Sequence, residues 1–512
     1  MSTRTDRAPR PGVAWTALMA LSLLGAACGS TVRASSGGHG STSSGLGLPS
    51  QSANAPGSGG AGATGGSGGS GTGSAGGDLS ASGGAGYDSG GSAASGTGPA
   101  ASGVTSKLVP ASAPGVTGTT IYLGASYSSQ SAQGDRAIGA AGAAPSYDAR
   151  NVLNTVINYA NAHGGFAGRK LQALYYDYNL TTDTNTQDQS ACAYWTQDNK
   201  VFALPGSEIL NACAQKAGAL ILGDGGATQA TYQQYPNLID ADGTALDRMG
   251  NVEVNGLYKA GYFTGKLGLV TWDDPEYRAT IQNGYLPALS AHHITPTQIV
   301  YIMVPQQLGA VGDMSAAVSN AVTKFKSLGI DHVMIQDGPA GVWGGDGLTL
   351  EWMDQAKSQD YYPRYGANPL NNPGTSINPS DEQNKELAVD DADYDGSYDQ
   401  GWHANQARTL CYQIEAKAGY PVSSSNPNDE AAASSSCDAV FFLQKVLNAV
   451  PEVSVSAFMQ AAANLGTSFA TAQIYGTKFI PGRRDGGDEF RTEEYFSSCS
   501  CLQYQGAPYY PD

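Results

Sequence analysis

From Thr119 onwards the chain alternates short apolar runs with amphipathic stretches. TTIYLGASYS, starting at Thr119, reads as a buried strand ending in small polar residues. Ala149, Val152, Leu153, Val156, Ile157 and Ala160 then recur at helical spacing and make one apolar stripe. Asp148 stands where it caps that helix, and Gly164-Gly165 where they stop it. LQALYYDYN is the second strand, a helical stretch surrounds Cys192, and VFALPGS is the third strand. A helix from Leu210 to Ala217 leads to the fourth strand, ALILGDGG. KLGLVTWDD, QIVYIMVP and HVMIQDG repeat the pattern, and a helix between the last two turns Val318, Ala321, Val322, Phe325 and Leu328 to one side. Near-continuous apolar strands alternating with helices predict an α/β fold: two units in tandem, each with a parallel sheet covered on both faces.

Composition sets the N-terminal fifth, residues 1–106, apart. Between Gly29 and Ser106 the charged residues are Arg33, Asp78 and Asp88, with His39 as the one histidine, and Tyr87 is the one aromatic. Glycine dominates this stretch, which buries too little apolar surface to offset its chain entropy. Before it, Arg4, Arg7 and Arg10 precede an uncharged stretch from Val13 to Ala27, the pattern of a secretory signal. Leu24-Gly25-Ala26-Ala27-Cys28 resembles the end of a bacterial lipoprotein leader, with Gly25 where leucine is usual; the resemblance implies lipidation at Cys28. As a flexible coil, the Gly/Ser segment has a root-mean-square span of roughly 45–50 Å.

Charge narrows the partners. Outside the leader and the Gly/Ser segment the chain has 23 basic and 41 acidic residues. Such a surface repels phosphate backbones, which argues against nucleic acid. Export fits the cysteines: beyond Cys28 six remain, an even number suited to an oxidising compartment. Local spacing favours the pairs Cys192–Cys213, Cys411–Cys437 and Cys499–Cys501, the last closing a strained ring.

In open parallel sheets, ligands sit beyond the carboxyl ends of the strands. Here those ends carry Ser126 and Tyr127, Gly206 and Ser207, Gly226 to Thr228, Asp273-Asp274 and Asp337. The run from Ile157 to Gly165, followed by Gly168-Arg169-Lys170-Leu171 and Asp177, resembles the first helix and second strand of type I periplasmic solute-binding proteins of ABC transporters. The similar branch binds branched-chain amino acids and short amides. The resemblance runs from Thr119 to the C-terminus. It implies two Rossmann-like lobes joined by three hinge strands, closing on a small polar solute that is handed to an ABC importer.

The same resemblance implies an organisation. Residues 1–28 are a signal peptide, 29–116 a disordered tether, 117–263 with 402–484 one lobe, and 264–401 with 485–512 the other. Hinges are expected near 263, 401 and 484. The protein acts as a monomer, lipid-anchored on the extracytoplasmic face of the membrane, with the importer permease as partner. For the site, backbone N–H groups and hydroxyls of Gly206, Ser207, Gly226, Ala227 and Thr228 correspond to those that hold a ligand carboxylate, and Tyr277 to a covering tyrosine. The second-lobe acid that pairs with an ammonium falls near Ala367-Asn368, where none stands, leaving Asp337 as the nearest candidate. A buried ammonium without a carboxylate is costly, which favours a neutral amide, a polyol or a carboxylate ligand.

Asp391, Asp393 and Asp395 match the first half of a calcium loop, but Trp402 stands where the bidentate glutamate belongs, so structural calcium competes with a plain acidic turn. No other cofactor is expected. Outside the low-complexity Gly/Ser segment, no HExxH, Walker or GxSxG pattern occurs. His292-His293 are expected to face solvent and His332 to sit in a strand core. Three rival readings are a sensor of the same fold that imports nothing, a surface hydrolase and a wall-associated structural lipoprotein.

Overall fold

The computed structural model describes residues 107–511, apart from 132, 134–145, 224, 343–346, 372, 374–380, 384, 392–405, 423–426 and 500. The leader, Cys28 and the Gly/Ser segment up to residue 106 lie outside the described residues. So do Asp393, Asp395 and residue 401.

The first sheet contains β1 (Thr120–Tyr127), β2 (Lys170–Asp177), β3 (Ala203–Pro205), β4 (Leu220–Leu222) and β5 (Leu238–Ile239). Its order is β2-β1-β3-β4-β5, with every pair parallel. Helix Ala149–Ala162 follows β1; the Asp148 carboxylate accepts from Arg150 N–H at 2.9 Å to cap it. The chain leaves that helix through Gly164 and Gly165, both at positive φ, where glycine has no Cβ to clash. Val152, Leu153, Val156, Ile157 and Ala160 bury against the sheet. Helices Gln406–Lys417, Pro427–Leu447 and Val455–Ala462 complete that layer. On the opposite face helices Thr184–Ala193 and Glu208–Ala217 enclose Trp195. A Cβ at Gly124 would lie 3.1 Å from the Trp195 ring, so a side chain there would crowd the indole that packs on β1.

The second sheet contains β6 (Leu267–Trp272), β7 (Gln298–Ile302), β8 (His332–Gln336), β9 (Arg364–Ala367), β10 (Leu387–Asp390), β11 (Arg491–Phe496) and β12 (Cys501–Tyr504). Its order is β12-β11-β10-β9-β8-β6-β7. All six residues of β6 and all five of β8 are buried, which fits central strands covered on both faces. Helices Val311–Leu328 and Gly347–Ser358 cover one face, and Leu246–Lys259 with Leu286–Ala291 the other. Among the described residues no helix is long and apolar enough to cross a membrane.

Four features differ from the sequence reading. The body begins before residue 117: Val109, Ala113 and Val116 pack on the first core, and the Arg169 guanidinium donates to Val109 O at 2.9 Å and Thr117 O at 2.7 Å. The first crossing falls at 240–245 and not near 263, because Met249, Val252, Val254 and Leu257 bury in the second core. The second sheet is mixed, not purely parallel: β10–β11 and β11–β12 are antiparallel. The chain re-enters this sheet at its edge and turns back over a few residues, too few for the crossover a parallel pair needs. Leu328 is 37% exposed, since it ends its helix beside the left-handed Gly329.

Disulfides join all three predicted pairs. Cys192–Cys213 and Cys411–Cys437 staple neighbouring helices at Cα separations of 6.0 Å, and Cys499–Cys501 spans 5.2 Å beside β12.

Candidate functional site

The carboxyl ends of the two sheets meet across a cavity of about 210 Å³. Gly206, Ser207, Glu208 and Asn211 line it after β3, and Gly223, Gly226, Ala227, Thr231, Gln234 and Tyr235 after β4. The second lobe contributes Asp274, Pro275, Glu276, Tyr277 and Pro339. Helix starts supply most of the polar wall. Ser207 caps helix Glu208–Ala217, Thr228 caps Gln229–Gln234, and Asp274 caps Pro275–Thr280.

Gly206, Ser207, Gly226, Ala227 and Tyr277, five of the nine predicted ligand positions, therefore come together. Ser207 accepts from Leu210 N–H at 2.9 Å and donates its hydroxyl to Asp188 at 2.8 Å. Burial pushes the Asp188 carboxyl up to about 7, against the pull of the Tyr178 and Ser207 hydroxyls. Tyr277 is buried, lines the cavity and donates its hydroxyl to Pro339 O at 2.8 Å. Thr228 lies just behind the wall and donates its backbone N–H to Glu276 Oε2 at 3.3 Å. The Thr231 hydroxyl donates to Glu276 Oε1. Glu276 of the second lobe thus reaches across and engages the first.

Ser126, Tyr127 and Asp337 do not line the cavity. Ser126 is buried at the end of β1. Tyr127 turns toward helix Ala149–Ala162, with the Arg150 guanidinium 4.1 Å from its ring centre and Tyr175 edge-on. Asp337 is fully buried and accepts from Trp272 Nε1 at 3.0 Å, Gly338 N at 2.8 Å and Thr349 N and Oγ1 at 2.7 and 2.8 Å. It braces the second lobe and is not placed to meet an ammonium. Asn368 is equally committed, donating to Glu253 Oε2 at 2.8 Å. The acids that line the cavity are Glu208, Asp274 and Glu276; the sequence reading placed Asp274 at a strand end but proposed none of the three as a ligand contact.

Away from the cavity, further hydrogen bonds join the lobes, the Thr184 hydroxyl to the Gln306 side chain among them. Leu308 N–H donates to Leu180 O at 3.0 Å, and Thr184 N–H to Gln306 O at 3.1 Å. At the crossings, Asp240 N–H donates to Arg484 O at 2.9 Å and Gly487 N–H to Gly243 O at 2.9 Å.

No protein-family profile and no curated protein matches the sequence. Solved structures do. A solute-binding protein of an ABC transporter from R. palustris, in complex with 4-hydroxybenzoate, superimposes with TM-score 0.54 at 12% identity, covering 76% of this chain and 97% of that one. A branched-chain amino acid ABC transporter protein from Thermus thermophilus with bound valine gives 0.52 at 14%, covering 77% and 96%. An ABC transporter substrate-binding protein from Desulfitobacterium hafniense in complex with leucine gives 0.50 at 13%, covering 76% and 99%. The chain has the type I periplasmic binding-protein fold.

Within that fold, the remaining candidates take structural places. Asp391, just after β10, accepts from the Thr244 hydroxyl at 2.7 Å and so ties two crossing segments; the rest of the candidate calcium loop lies outside the described residues. No group of three potential metal ligands occurs among the described residues. His332 is buried as expected, with Nδ1 2.8 Å from Asp331 and Nε2 3.2 Å from Thr264. His293 is exposed, but His292 is half-buried, stacked on Tyr258 at 3.8 Å and bonded to Asn255.

Proposed function

We propose that this chain is an extracytoplasmic solute-binding protein, anchored through lipid on Cys28, that delivers a small solute to an ABC importer. The observation that carries the reading is the cavity at the facing strand ends, walled by both lobes of a binding-protein fold. A ligand there completes contacts to two bodies at once, and that gives hinge closure its driving force. Gly206, Ser207, Gly226 and Ala227 on one side and Tyr277 on the other are the proposed contacts, with the Thr228 N–H behind them. The relatives bound to valine, leucine and 4-hydroxybenzoate support a small solute of that size range. The lobes would divide as 107–240 with 406–484, and 246–391 with 487–511.

Thermal unfolding of the full chain against a panel of amino acids, amides, polyols, amines and small carboxylates tests this. A ligand at about a thousand times its dissociation constant adds roughly 4 kcal/mol. One saturable shift supports the reading, and a panel that leaves the melting temperature unmoved refutes it. Release of Cys28→Ser protein from the membrane fraction is expected; retention of that variant would refute the anchor.

A further inference from the structure

We propose that Cys499–Cys501 is a thiol-exchange site, a disulfide that an external dithiol reduces while the folded body stays intact. The inference is independent of the solute-binding reading and concerns one edge of the second sheet.

The disulfides among the described residues close loops of very different size. Sequence separations are 21 for Cys192–Cys213, 26 for Cys411–Cys437 and 2 for Cys499–Cys501. A cross-link stabilises a fold mainly by restricting the unfolded chain, and that restriction grows with about the 3/2 power of loop length. Linkage makes the effect mutual: a fold that gains little from a disulfide holds it little against reduction. On this scaling, loops of about 22 and about 3 residues differ roughly twentyfold in how strongly folding retains the bond.

Access runs the same way. Cys411 and Cys437 are fully buried in the first core, and Cys192 and Cys213 are half-buried on neighbouring helices. Cys499 is exposed, and Cys501 is buried beside it at the start of β12. Exchange needs a thiolate to reach one sulfur, so Cys499 Sγ is the point of attack. Gln503 Nε2 lies 4.0 Å from Cys499 Sγ and 3.9 Å from Cys501 Sγ, where its N–H favours negative charge on the departing sulfur.

The hairpin does not depend on the bond. β11 and β12 pair Glu493 with Tyr504, Glu494 with Gln503, Tyr495 with Leu502 and Phe496 with Cys501. Beyond them Gln505 N–H donates to Thr492 O at 2.7 Å. Reduction leaves this backbone ladder in place.

The exchange balances with a dithiol as reductant. One of its thiols loses a proton, and the thiolate attacks Cys499 Sγ. The Cys499–Cys501 bond breaks, and its electron pair leaves on Cys501 Sγ, which takes up a proton. The second thiol of the partner, deprotonated in turn, attacks the mixed disulfide and releases Cys499, which is protonated. Two electrons and two protons pass to the chain, and the partner ends as a disulfide.

The test starts by blocking existing thiols of the full chain. The protein is then equilibrated across ratios of reduced to oxidised dithiothreitol, and freed cysteines are alkylated and located by peptide mass spectrometry. Cys499 and Cys501 are expected to take label together at a ratio roughly twentyfold below that for Cys192 and Cys213. Protein reduced to that point is expected to melt less than about 3 °C below the wild type, and so is the double variant Cys499→Ser with Cys501→Ser. In a second arm with reduced thioredoxin, its stoichiometric oxidation assigns a protein dithiol as partner, and reaction confined to dithiothreitol assigns a small one. Label entering Cys192, Cys213, Cys411 or Cys437 at the same ratio or a lower one would overturn the proposal. So would a larger fall in melting temperature in either form, which would make the bond a staple.

Discussion

Arg248 and Asp485 hold two crossing segments together, and removing one of them measures how much. Asp485 Oδ2 accepts from Arg248 Nε at 2.7 Å and from Ala245 N–H at 3.0 Å, while Arg248 Nη2 donates to Gly487 O at 2.5 Å. The side chains are 13% and 7% exposed, so the pair is largely out of water. Breaking a buried pair from one side costs about 3–5 kcal/mol, because the remaining charge loses its near partner without regaining water. Among the described residues Arg483 Nε, at 3.9 Å, is the one cation left to face Asp485. Unfolding entropy near 2.1 cal/mol/K per residue gives about 0.84 kcal/mol/K for a body of about 400 residues. Arg248→Met is therefore expected to lower the melting temperature by about 4–6 °C. Arg248→Met with Asp485→Asn is expected to recover much of that loss, since no buried charge is stranded. Scanning calorimetry on the wild type, both single variants and the double variant closes the cycle. A double variant that falls by the sum of the two single losses would refute the coupling, and a single-variant shift below about 1 °C would refute the burial argument.

Two further predictions concern stability. Burial pushes the Glu253, Glu382 and Glu415 carboxyls up to about 8. Folded-state values above the unfolded value mean that the native chain holds protons the unfolded chain has released, so stability is greatest below about pH 4.5 and declines as pH climbs through 8. Each such group contributes at most about 1.4 kcal/mol per pH unit, and Glu253→Gln is expected to flatten the slope between pH 5 and 8 and to stabilise at pH 8. Urea unfolding at several pH values checks this, and stability that rises over the same window in the wild type would contradict it. Opening the Cys192–Cys213 staple by Cys192→Ser with Cys213→Ser frees a loop with a sequence separation of 21 and is expected to cost about 3 kcal/mol, roughly 4 °C. A variant that melts with the wild type under oxidising conditions would show that the staple adds nothing.

What was legible in the sequence follows from burial. Helix Ala149–Ala162 announced itself because its buried positions recur at helical spacing between a capping aspartate and two glycines. The strands β1, β6 and β8 did so because each holds a run of apolar residues. The elements that were missed are those in which tertiary context replaces composition. β5 is two residues long, and β9 and β10 have four each, too short for any period to emerge. β11, with RTEEYF, is half-buried near the edge of the sheet, so its charged positions look like a loop until the register with β10 is seen.

The site divides along the same line. Its location was legible because strand ends follow from the α/β alternation alone. Its charge was not, for a reason that lies in helix chemistry. Glu208 opens a helix, Asp274 caps one, and Glu276 sits in a first turn. Acids at those positions are ordinary companions of the positive end of a helix dipole, and nothing in the string distinguishes one that also faces a ligand. Only the meeting of the two sheets turns three separate helix starts towards one cavity. The resemblance pointed to Ala367-Asn368 for the ammonium partner, and the fold commits Asn368 to Glu253. In this chain the acids beside the cavity stand at the starts of helices, so their meeting at one place is set by packing between lobes and not by any single motif.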